Sequence, residues 1–319
     1  MRAMSYALLA PNPHNRQPWE AELVGDDGLL IYRDKSRNLP FTDPLSRQLT
    51  IGMGCFLELM EMAANQEGNS IETELFPQGV DGPVASCRFA KGNGKPNPLF
   101  VHVMERRSHK DKFNDRRVTV ESAAPLTSHA QLYLDGEDRD TIRRIAHEAW
   151  WSEVRTPGAW KESIDLLRVG KSEINANPDG IDAGGPLLDT LALFGLVDRK
   201  ELLDINNPNS RGPIEDTAKA ILSAPAYTLT LTPGNSRIEQ IIAGRKWLRL
   251  NLTATGAGLS LRPVSQALQE YKEVKVHFDE IHRRFAPNGE TIQILGLLGF
   301  GERLTRSPRW PIESRIRHA

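Results

Sequence analysis

The sequence has few of the features that mark several common classes of protein. Its 319 residues include only two cysteines, Cys55 and Cys87, which excludes a disulfide framework and a cysteine-pair metal site. No apolar run is long enough to span a membrane, and the apolar stretch in the opening MRAMSYALLA is too short for a signal peptide. A formal net charge of −1 argues against general nucleic-acid binding. These absences predict a cytoplasmic globular protein without a membrane or nucleic-acid partner.

Several familiar catalytic and ligand-binding motifs are also absent. The chain has no P-loop, no GxGxxG after a strand and no GxSxG elbow. His14 and His109 have no partners at ligand spacing, so no metal site is predicted. Cys55 lies among apolar residues in a helical pattern, which predicts a buried small side chain rather than a reactive thiol.

What the chain does contain is a mixture of strand and helix patterns, which indicates an α+β or α/β fold. The predicted strands are SCRFA, LFVHVM, AYTLTLT and TIQILGLLGFG, and the predicted helices cover 44–65, 138–154, 214–223 and 236–256. Asp43 is expected to cap the first helix, with Pro44 at its first position. Ser236 and Glu239 form a capping box at the start of the last.

Two of these helices resemble each other, and this similarity indicates an internal duplication. Both are largely apolar, which predicts burial, and both carry a glycine that allows close backbone approach. We therefore predict two related halves, residues 1–105 and 106–319, packed around a shared helical core as in a fused dimer. A shift of 190 residues aligns Ser46 with Ser236, Arg47 with Arg237, Ile51 with Ile241, Gly54 with Gly244, Ala64 with Ala254, Gly68 with Gly258 and Ser70 with Ser260.

Two basic clusters suggest a site for an anion. A guanidinium binds phosphate oxygens two at a time, and a serine hydroxyl adds a donor. The alternative is a solvated charged loop, in which nearby aspartates offset the charge. The first cluster, in ERRSHKDKF, contains Arg106, Arg107, Ser108 and Lys110, and the second, in TRSPRWP, contains Arg306 and Arg309.

The stretch APNPHNRQPW, residues 10–19, predicts a stiff and irregular loop. Pro11, Pro13 and Pro18 each remove a backbone donor and bias the preceding residue toward extended geometry. Between them stand amide side chains that can donate and accept hydrogen bonds. Such a loop is either a plain connection or a set of polar groups held against a ligand.

Taken together, RRSHKDKF, PNPHNRQPW, a long helix AGRKWLRLNLTATGAGL and a C-terminal PRWP resemble the FMN-dependent nitroreductases. The stretches around both long helices resemble the Acg-like branch of that family, in which two nitroreductase-like halves are fused in one chain. The resemblance implies an α+β fold with a mixed sheet flanked by helices. It also implies FMN as cofactor.

The resemblance implies one complete flavin site per chain, formed by both halves. Gln17, Pro18 and Trp19 would brace the N-terminal loop. Lys112 alters the family's spacing, so the role of Lys110 is left open. The implied cofactor-binding residues are Pro11, Asn12, Pro13 and Asn15 from the first half, and Arg106, Arg107, Ser108, Lys110, Arg306 and Arg309 from the second.

The implied activity is two-electron reduction of a small molecule, such as a nitroaromatic or a quinone, with NADPH or NADH as donor. The flavin carries this chemistry, so no catalytic residue of the protein is predicted. The chain would be a monomeric pseudo-dimer or a homodimer. One alternative is a flavin-sequestering protein in which residues 172–188 cover the cofactor, although this segment is equally well read as a surface loop. Another is a structural protein that has lost its flavin.

Overall fold

The computed structural model describes residues 1–317, so the last two residues of the predicted second half lie outside the described residues. The α-helices are α1 (Arg2–Ala7), α2 (Arg47–Gln66), α3 (Val120–Ala123), α4 (Gly136–Arg155), α5 (Pro157–Asp165), α6 (Gly170–Ala176), α7 (Pro186–Leu193), α8 (Arg199–Leu202), α9 (Pro208–Ser223), α10 (Arg237–Gly256) and α11 (Lys275–Phe285). The strands are β1 (Trp19–Val24), β2 (Gly28–Arg33), β3 (Asn69–Leu75), β4 (Ala85–Lys91), β5 (Gln131–Tyr133), β6 (Leu167–Val169), β7 (Ile181–Ala183), β8 (Ala226–Thr232), β9 (Ser260–Pro263) and β10 (Thr291–Gly299).

Two four-stranded sheets lie one in each predicted half. The first sheet has the order β1-β2-β4-β3 and the second has the order β5-β8-β10-β9, with antiparallel pairing between neighbours. The two orders are the same when strands are matched in chain order. A parallel bridge between Ala21 and Ile316 brings the C-terminal tail onto the edge of the first sheet, which therefore carries both strand directions. The predicted α+β class is confirmed.

Helices α2 and α10 cross at the centre of the molecule, and two glycines set their separation. A Cβ placed on Gly54 would lie 2.2 Å from the carbonyl oxygen of Ile241. A Cβ placed on Gly244 would lie 2.0 Å from the carbonyl oxygen of Ile51. The 190-residue shift maps Gly54 onto Gly244 and Ile51 onto Ile241, so each of these contacts is the counterpart of the other. Equivalent atoms of the two helices therefore face each other across the crossing.

Helix α2 is buried on nearly every face, which agrees with its largely apolar sequence. It packs on β3 of the first sheet, while α10 packs on β8, β9 and β10 of the second, and the apolar residues of both helices form one cluster. Apolar residues of α4, α9 and α11 form a separate cluster with β8 and β10 of the second sheet. Cys55, on α2, is buried as predicted. None of the helices in the described part of the chain is long and apolar enough to cross a membrane.

The predicted strand LFVHVM is wrong. Residues Pro98–His102 form a 3-10 helix, in which the Asn97 side chain accepts a hydrogen bond from the amide of Leu99 at 3.0 Å. Val101 is exposed, whereas Val103 is buried in the core and Leu99 and Phe100 pack against it, so the run contributes to the core through a 3-10 turn rather than a strand. The other three predicted strands are present as β4, β8 and β10.

Two predicted helix starts differ from the structure. Helix α2 begins at Arg47 rather than at Pro44, although the Asp43 carboxylate does accept hydrogen bonds from the amides of Gln48 and Leu49. Helix α9 begins at Pro208 and contains Pro213, so the prediction from 214 missed its first turns. The capping box of Ser236 and Glu239 is confirmed.

Candidate functional site

A cavity of about 940 Å³ is lined by residues of both predicted halves, and its walls come from widely separated parts of the sequence. Helix α2, strand β10 and the end of β9 contribute side chains, as do the N-terminal loop (residues 10–19) and the C-terminal turn (residues 304–310). All ten predicted cofactor-binding residues line this cavity: Pro11, Asn12, Pro13, Asn15, Arg106, Arg107, Ser108, Lys110, Arg306 and Arg309.

The N-terminal loop has an unusual backbone at the cavity wall. His14, Asn15 and Gln17 have φ values of 47°, 51° and 49°, which lie in the left-handed region that residues other than glycine rarely adopt. Such conformations persist only when the surroundings hold them in place. The loop is therefore shaped by its contacts with the rest of the chain.

The two asparagines of the loop are engaged by the protein itself, which differs from the expectation that their amides face a ligand. The Oδ1 atom of Asn12 accepts a hydrogen bond from the amide of Gln17 at 2.7 Å, and its Nδ2 donates to the carbonyl of Ala10 at 3.2 Å. The Nδ2 of Asn15 donates to Pro308 at 3.1 Å, and its Oδ1 accepts from Arg309 at 2.7 Å. Asn12 thus braces the loop, while Asn15 joins it to the C-terminal turn.

Gln17 and Trp19 brace the N-terminal loop, as expected. The fully buried amide of Gln17 donates to the carbonyl of Pro178 at 2.7 Å and accepts from the amide of Trp310 at 2.9 Å. Trp19 is fully buried and stacks on Phe56 with ring centroids 5.0 Å apart. One side chain, Gln17, therefore ties three segments of the cavity wall together.

Arg106 is the most deeply buried cation of the site. Its Nη2 donates to the carbonyl of Leu9 at 2.8 Å, but its Nε and Nη1 atoms are buried with no hydrogen-bond partner in the described part of the chain. Burial lowers the pKa of this guanidinium to about 10, and the neighbouring cations Arg107 and Arg306 act in the same direction. A buried cation in this state is costly unless an anion pairs with it.

Arg309 and Arg306 bring further positive charge from the C-terminal turn. Arg309 donates to the carbonyl of Leu8 at 2.7 Å as well as to Asn15, and burial lowers its pKa to about 9. Arg306 is exposed and donates to Met104 at 2.8 Å, beside Arg107. The two basic clusters predicted from the sequence therefore meet on one cavity.

The segment 172–188 runs along another wall of the cavity. Its Asp182 pairs with Lys110 at 2.6 Å, and its Gly180 amide donates to the carbonyl of Asn15 at 3.3 Å. Asp179 is buried and anchors the segment through Arg37 at 2.7 Å and Trp310 at 3.0 Å. This segment thus lies against the predicted site, and it contains most of a helix (α6) and a strand (β7) where the sequence left open either a cover for the cofactor or a surface loop.

Several cavity residues carry no sequence signal and were missed. Arg262, at the end of β9, donates from Nη1 to the carbonyl of Lys110 at 2.6 Å. Gly52 lies on α2 beside Asn12, where a Cβ would come within 3.1 Å of the Cβ of Asn12. Neither belongs to a motif, and both face the cavity only because distant elements are brought together. Within residues 1–317, no group of three or more acidic, histidine or cysteine side chains could hold a metal ion.

Comparison with known proteins gives a partial match. No protein-family model matches the chain. A candidate NAD(P)H nitroreductase, Acg, of Mycobacterium tuberculosis is 33% identical over 79 residues, which are 25% of this chain and 24% of that protein. The same match is found in a second strain of that organism. The match spans about a quarter of the length of these curated relatives, and it confirms the predicted resemblance over that segment.

Solved structures with some similarity to this chain include two nitroreductases. The FMN-dependent nitroreductase NfnB of Mycobacterium smegmatis, solved in complex with NADPH, has a TM-score of 0.42 and 15% identity over 69% of this chain and 98% of its own. A candidate nitroreductase of Anabaena variabilis has a TM-score of 0.46 and 12% identity over 92% of this chain and 82% of its own.

Proposed function

We propose that this protein is an FMN-binding oxidoreductase of nitroreductase type, which uses NADPH or NADH to reduce small acceptors such as nitroaromatics or quinones. The observation that carries the proposal is Arg106, a buried cation whose Nε and Nη1 have no hydrogen-bond partner among residues 1–317. An anionic ligand would supply that partner. The local match to an NAD(P)H nitroreductase supports the choice of ligand.

The residues of the cavity fit the chemistry of FMN. A phosphate group needs several convergent donors, and Arg107, Ser108, Arg306 and Arg309 lie with Arg106 on the cavity wall. We assign these five residues to the phosphate. Lys110 would place a cation at the polar edge of the ring, where it would stabilise negative charge.

The protein's part in the reaction is to bind, orient and shield. FMN supplies the hydride chemistry when it is bound. The N-terminal loop would hold one side of the ring with the rigid carbons of Pro11 and Pro13, since the amides of Asn12 and Asn15 are engaged within the protein. The segment 172–188 would limit the access of water and of the second substrate.

We propose as the second candidate a flavin-sequestering protein with little turnover. The ion pair between Lys110 and Asp182 favours it, because this contact holds the segment 172–188 against the cavity. If the contact persists when FMN is bound, a nicotinamide would not reach the ring.

We further propose that the two halves, residues 1–105 and 106–319, arose by internal duplication and that they build one site between them. The matching strand orders of the two sheets support this proposal, and so does the reciprocal contact of Gly54 and Gly244. The cavity draws Asn15 from the first half and Arg106 from the second. We also propose that a chain built in this way is complete as a monomer.

The test begins with FMN titration of the apo-protein and its Arg106→Gln variant. Arg106 has one hydrogen bond, to Leu9, so the variant's apo form should stay within about 1 kcal/mol of the original stability. Its FMN affinity should fall at least about tenfold, since a charge-assisted hydrogen bond contributes about 1.5–3 kcal/mol. Arg283→Gln, on the exposed face of α11, removes the same charge far from the cavity and should bind FMN normally. Unchanged affinity in Arg106→Gln would contradict the assignment.

Anaerobic addition of NADPH and then NADH to the FMN-loaded protein separates the two candidates. Rapid loss of the flavin absorbance band supports the oxidoreductase. A stable oxidised spectrum that only dithionite bleaches supports sequestration. Absence of any FMN binding would reject both.

A further inference from the structure

A second source of positive charge lies in the cavity, apart from the residues assigned to phosphate. Arg262 comes from strand β9, whereas the residues assigned to the phosphate lie in the segment after Met104 and in the C-terminal turn. Within the described range 1–317, the one hydrogen bond of its side chain joins Nη1 to the carbonyl of Lys110. Arg262 is therefore placed beside Lys110, the residue assigned to the ring.

The charge on the cavity wall exceeds what one FMN molecule can neutralise. Only two carboxylates, Asp111 and Asp182, are among the lining residues, and one of these already pairs with Lys110. A phosphate monoester carries about two negative charges, which leaves a clear excess of positive charge with FMN in place. The lining cations are Arg106, Arg107, Lys110, Lys171, Arg262, Arg306 and Arg309.

The environment of Arg262 supports a ligand of its own. Burial lowers the pKa of this guanidinium to about 10, with Asp111 as the charged neighbour that acts against the shift. The side chain still has partial solvent exposure, as expected of a group on the wall of a deep cavity. A cation so placed interacts strongly with any anion that enters.

We propose that Arg262 binds an anionic group, phosphate or carboxylate, of the second ligand that reacts with the flavin. This inference rests on the proposed function. The anion has two possible sources, which are the 2′-phosphate of NADPH and a carboxylate on the acceptor. The cavity volume of about 940 Å³ is near the upper end of the usual range for small-molecule sites, about 300–1,000 Å³, which suits a cofactor and a second ligand together.

The first experiment titrates oxidised, FMN-loaded protein with benzoate and with benzamide, followed by flavin absorbance. These probes share a shape and differ in charge. Benzoate should bind at least about tenfold more tightly than benzamide, as expected for one charge-assisted contact. Arg262→Gln should abolish this preference, Arg262→Lys should retain part of it, and Arg283→Gln should retain it fully. Equal binding of the two probes, or a preference that survives in Arg262→Gln, would overturn the inference.

FMN affinity separates this inference from the proposed function. Arg262→Gln should bind FMN within about threefold of the unaltered protein, because Arg262 is not among the phosphate residues. Normal FMN binding without a preference for benzoate would reject the role of Arg262 alone. Failure of the unaltered protein to bind FMN would reject the proposed function and this inference with it.

Steady-state kinetics distinguish the two sources of the anion. KM is compared for NADPH against NADH, and for 4-nitrobenzoate against 4-nitrobenzamide. A rise in KM for NADPH alone in Arg262→Gln would identify the donor's 2′-phosphate as the group. A rise for 4-nitrobenzoate alone would identify the acceptor's carboxylate. If neither KM changes relative to that of the counterpart that lacks the anionic group, NADH or 4-nitrobenzamide, the inference fails.

Discussion

At the scale of single residues, Gln17 shows how the cavity wall is held. Its side chain is fully buried, and both ends of its amide are satisfied by backbone groups of other segments, Pro178 and Trp310. Its φ of 49° places it in the left-handed region, so these bonds also offset backbone strain. The shape of the N-terminal loop therefore depends on contacts far away in the sequence.

We predict that Gln17→Glu destabilises the protein by about 3 kcal/mol. The carboxylate cannot donate to Pro178, and it would place a charge in a buried site. Urea unfolding of the apo-protein measures the effect. Gln66→Glu, at the exposed end of α2, makes the same chemical change and should stay within about 0.5 kcal/mol. Equal stability of the two variants would show that Gln17 does not hold the wall.

Sequence reasoning reached some of these residues for clear physical reasons. Prolines fix the backbone locally, so the irregular loop was predictable, as was the bracing role of Gln17 within the motif. The engagement of Asn12 with its own loop was not, because it depends on the left-handed turn that follows. Arg262 and Asp179 were missed since neither belongs to a motif, and their roles arise only from packing.

At the scale of secondary-structure elements, the crossing of α2 and α10 has little tolerance for added volume. Each helix places a glycine against a backbone carbonyl of the other, where no side-chain movement can make room. Close packing of this kind makes even one extra methyl group costly.

We predict that Gly54→Ala and Gly244→Ala each destabilise the protein by about 2 kcal/mol or more. The new Cβ would lie 2.2 Å or 2.0 Å from a carbonyl oxygen, so the helices must move apart. In Gly52→Ala, two residues away on α2, the nearest atom to the new Cβ is the Cβ of Asn12 at 3.1 Å, followed by the Cα of Asn12 at 3.5 Å and the Cδ of Pro13 at 3.6 Å, so this change should cost much less. All three changes share the same gain in helix propensity, so differences in chemical unfolding report the crossing. Similar values for all three would contradict this account.

The prediction of elements succeeded where burial followed a regular pattern. Helices α4 and α10 and strands β8 and β10 were placed within a few residues, because their apolar spacing is continuous. The apolar run LFVHVM was misread because Asn97 and Pro98 start a 3-10 turn that leaves Val101 in solvent. The start of α9 was missed because Pro213 lies inside the helix, where proline normally signals an end.

At the scale of the whole molecule, a buried carboxyl on α4 makes stability depend on pH. Glu153 accepts hydrogen bonds from Gln269 at 2.6 Å and Gln266 at 3.2 Å, but no cation of residues 1–317 pairs with it. Burial raises its pKa from 4.5 to about 7, and the nearby Glu162 acts in the same direction. At pH values between 4.5 and about 7, the folded state holds a proton on Glu153 that the unfolded state has lost. The free energy of unfolding therefore falls as pH rises through this range.

We predict that Glu153→Gln removes this loss of stability at higher pH. Relative to the unaltered protein, the variant should gain about 3 kcal/mol between pH 4.5 and pH 8, since one pKa unit corresponds to about 1.4 kcal/mol. Urea unfolding at several pH values measures the difference. Glu148→Gln, on the exposed side of the same helix, controls for the loss of one carboxylate. A constant difference between Glu153→Gln and the unaltered protein would show that this carboxyl does not titrate in the window.

The contact between Arg309 and Asn15 joins residues 294 positions apart. The ribosome makes Asn15 long before Arg309, and contacts so distant in sequence form late. The first sheet can fold while synthesis continues, but the corner assigned to phosphate is incomplete until the C-terminal turn has been made. A product truncated before Arg306 would therefore contain both sheets and still lack this corner, so that cofactor capture would report synthesis of the C-terminal turn.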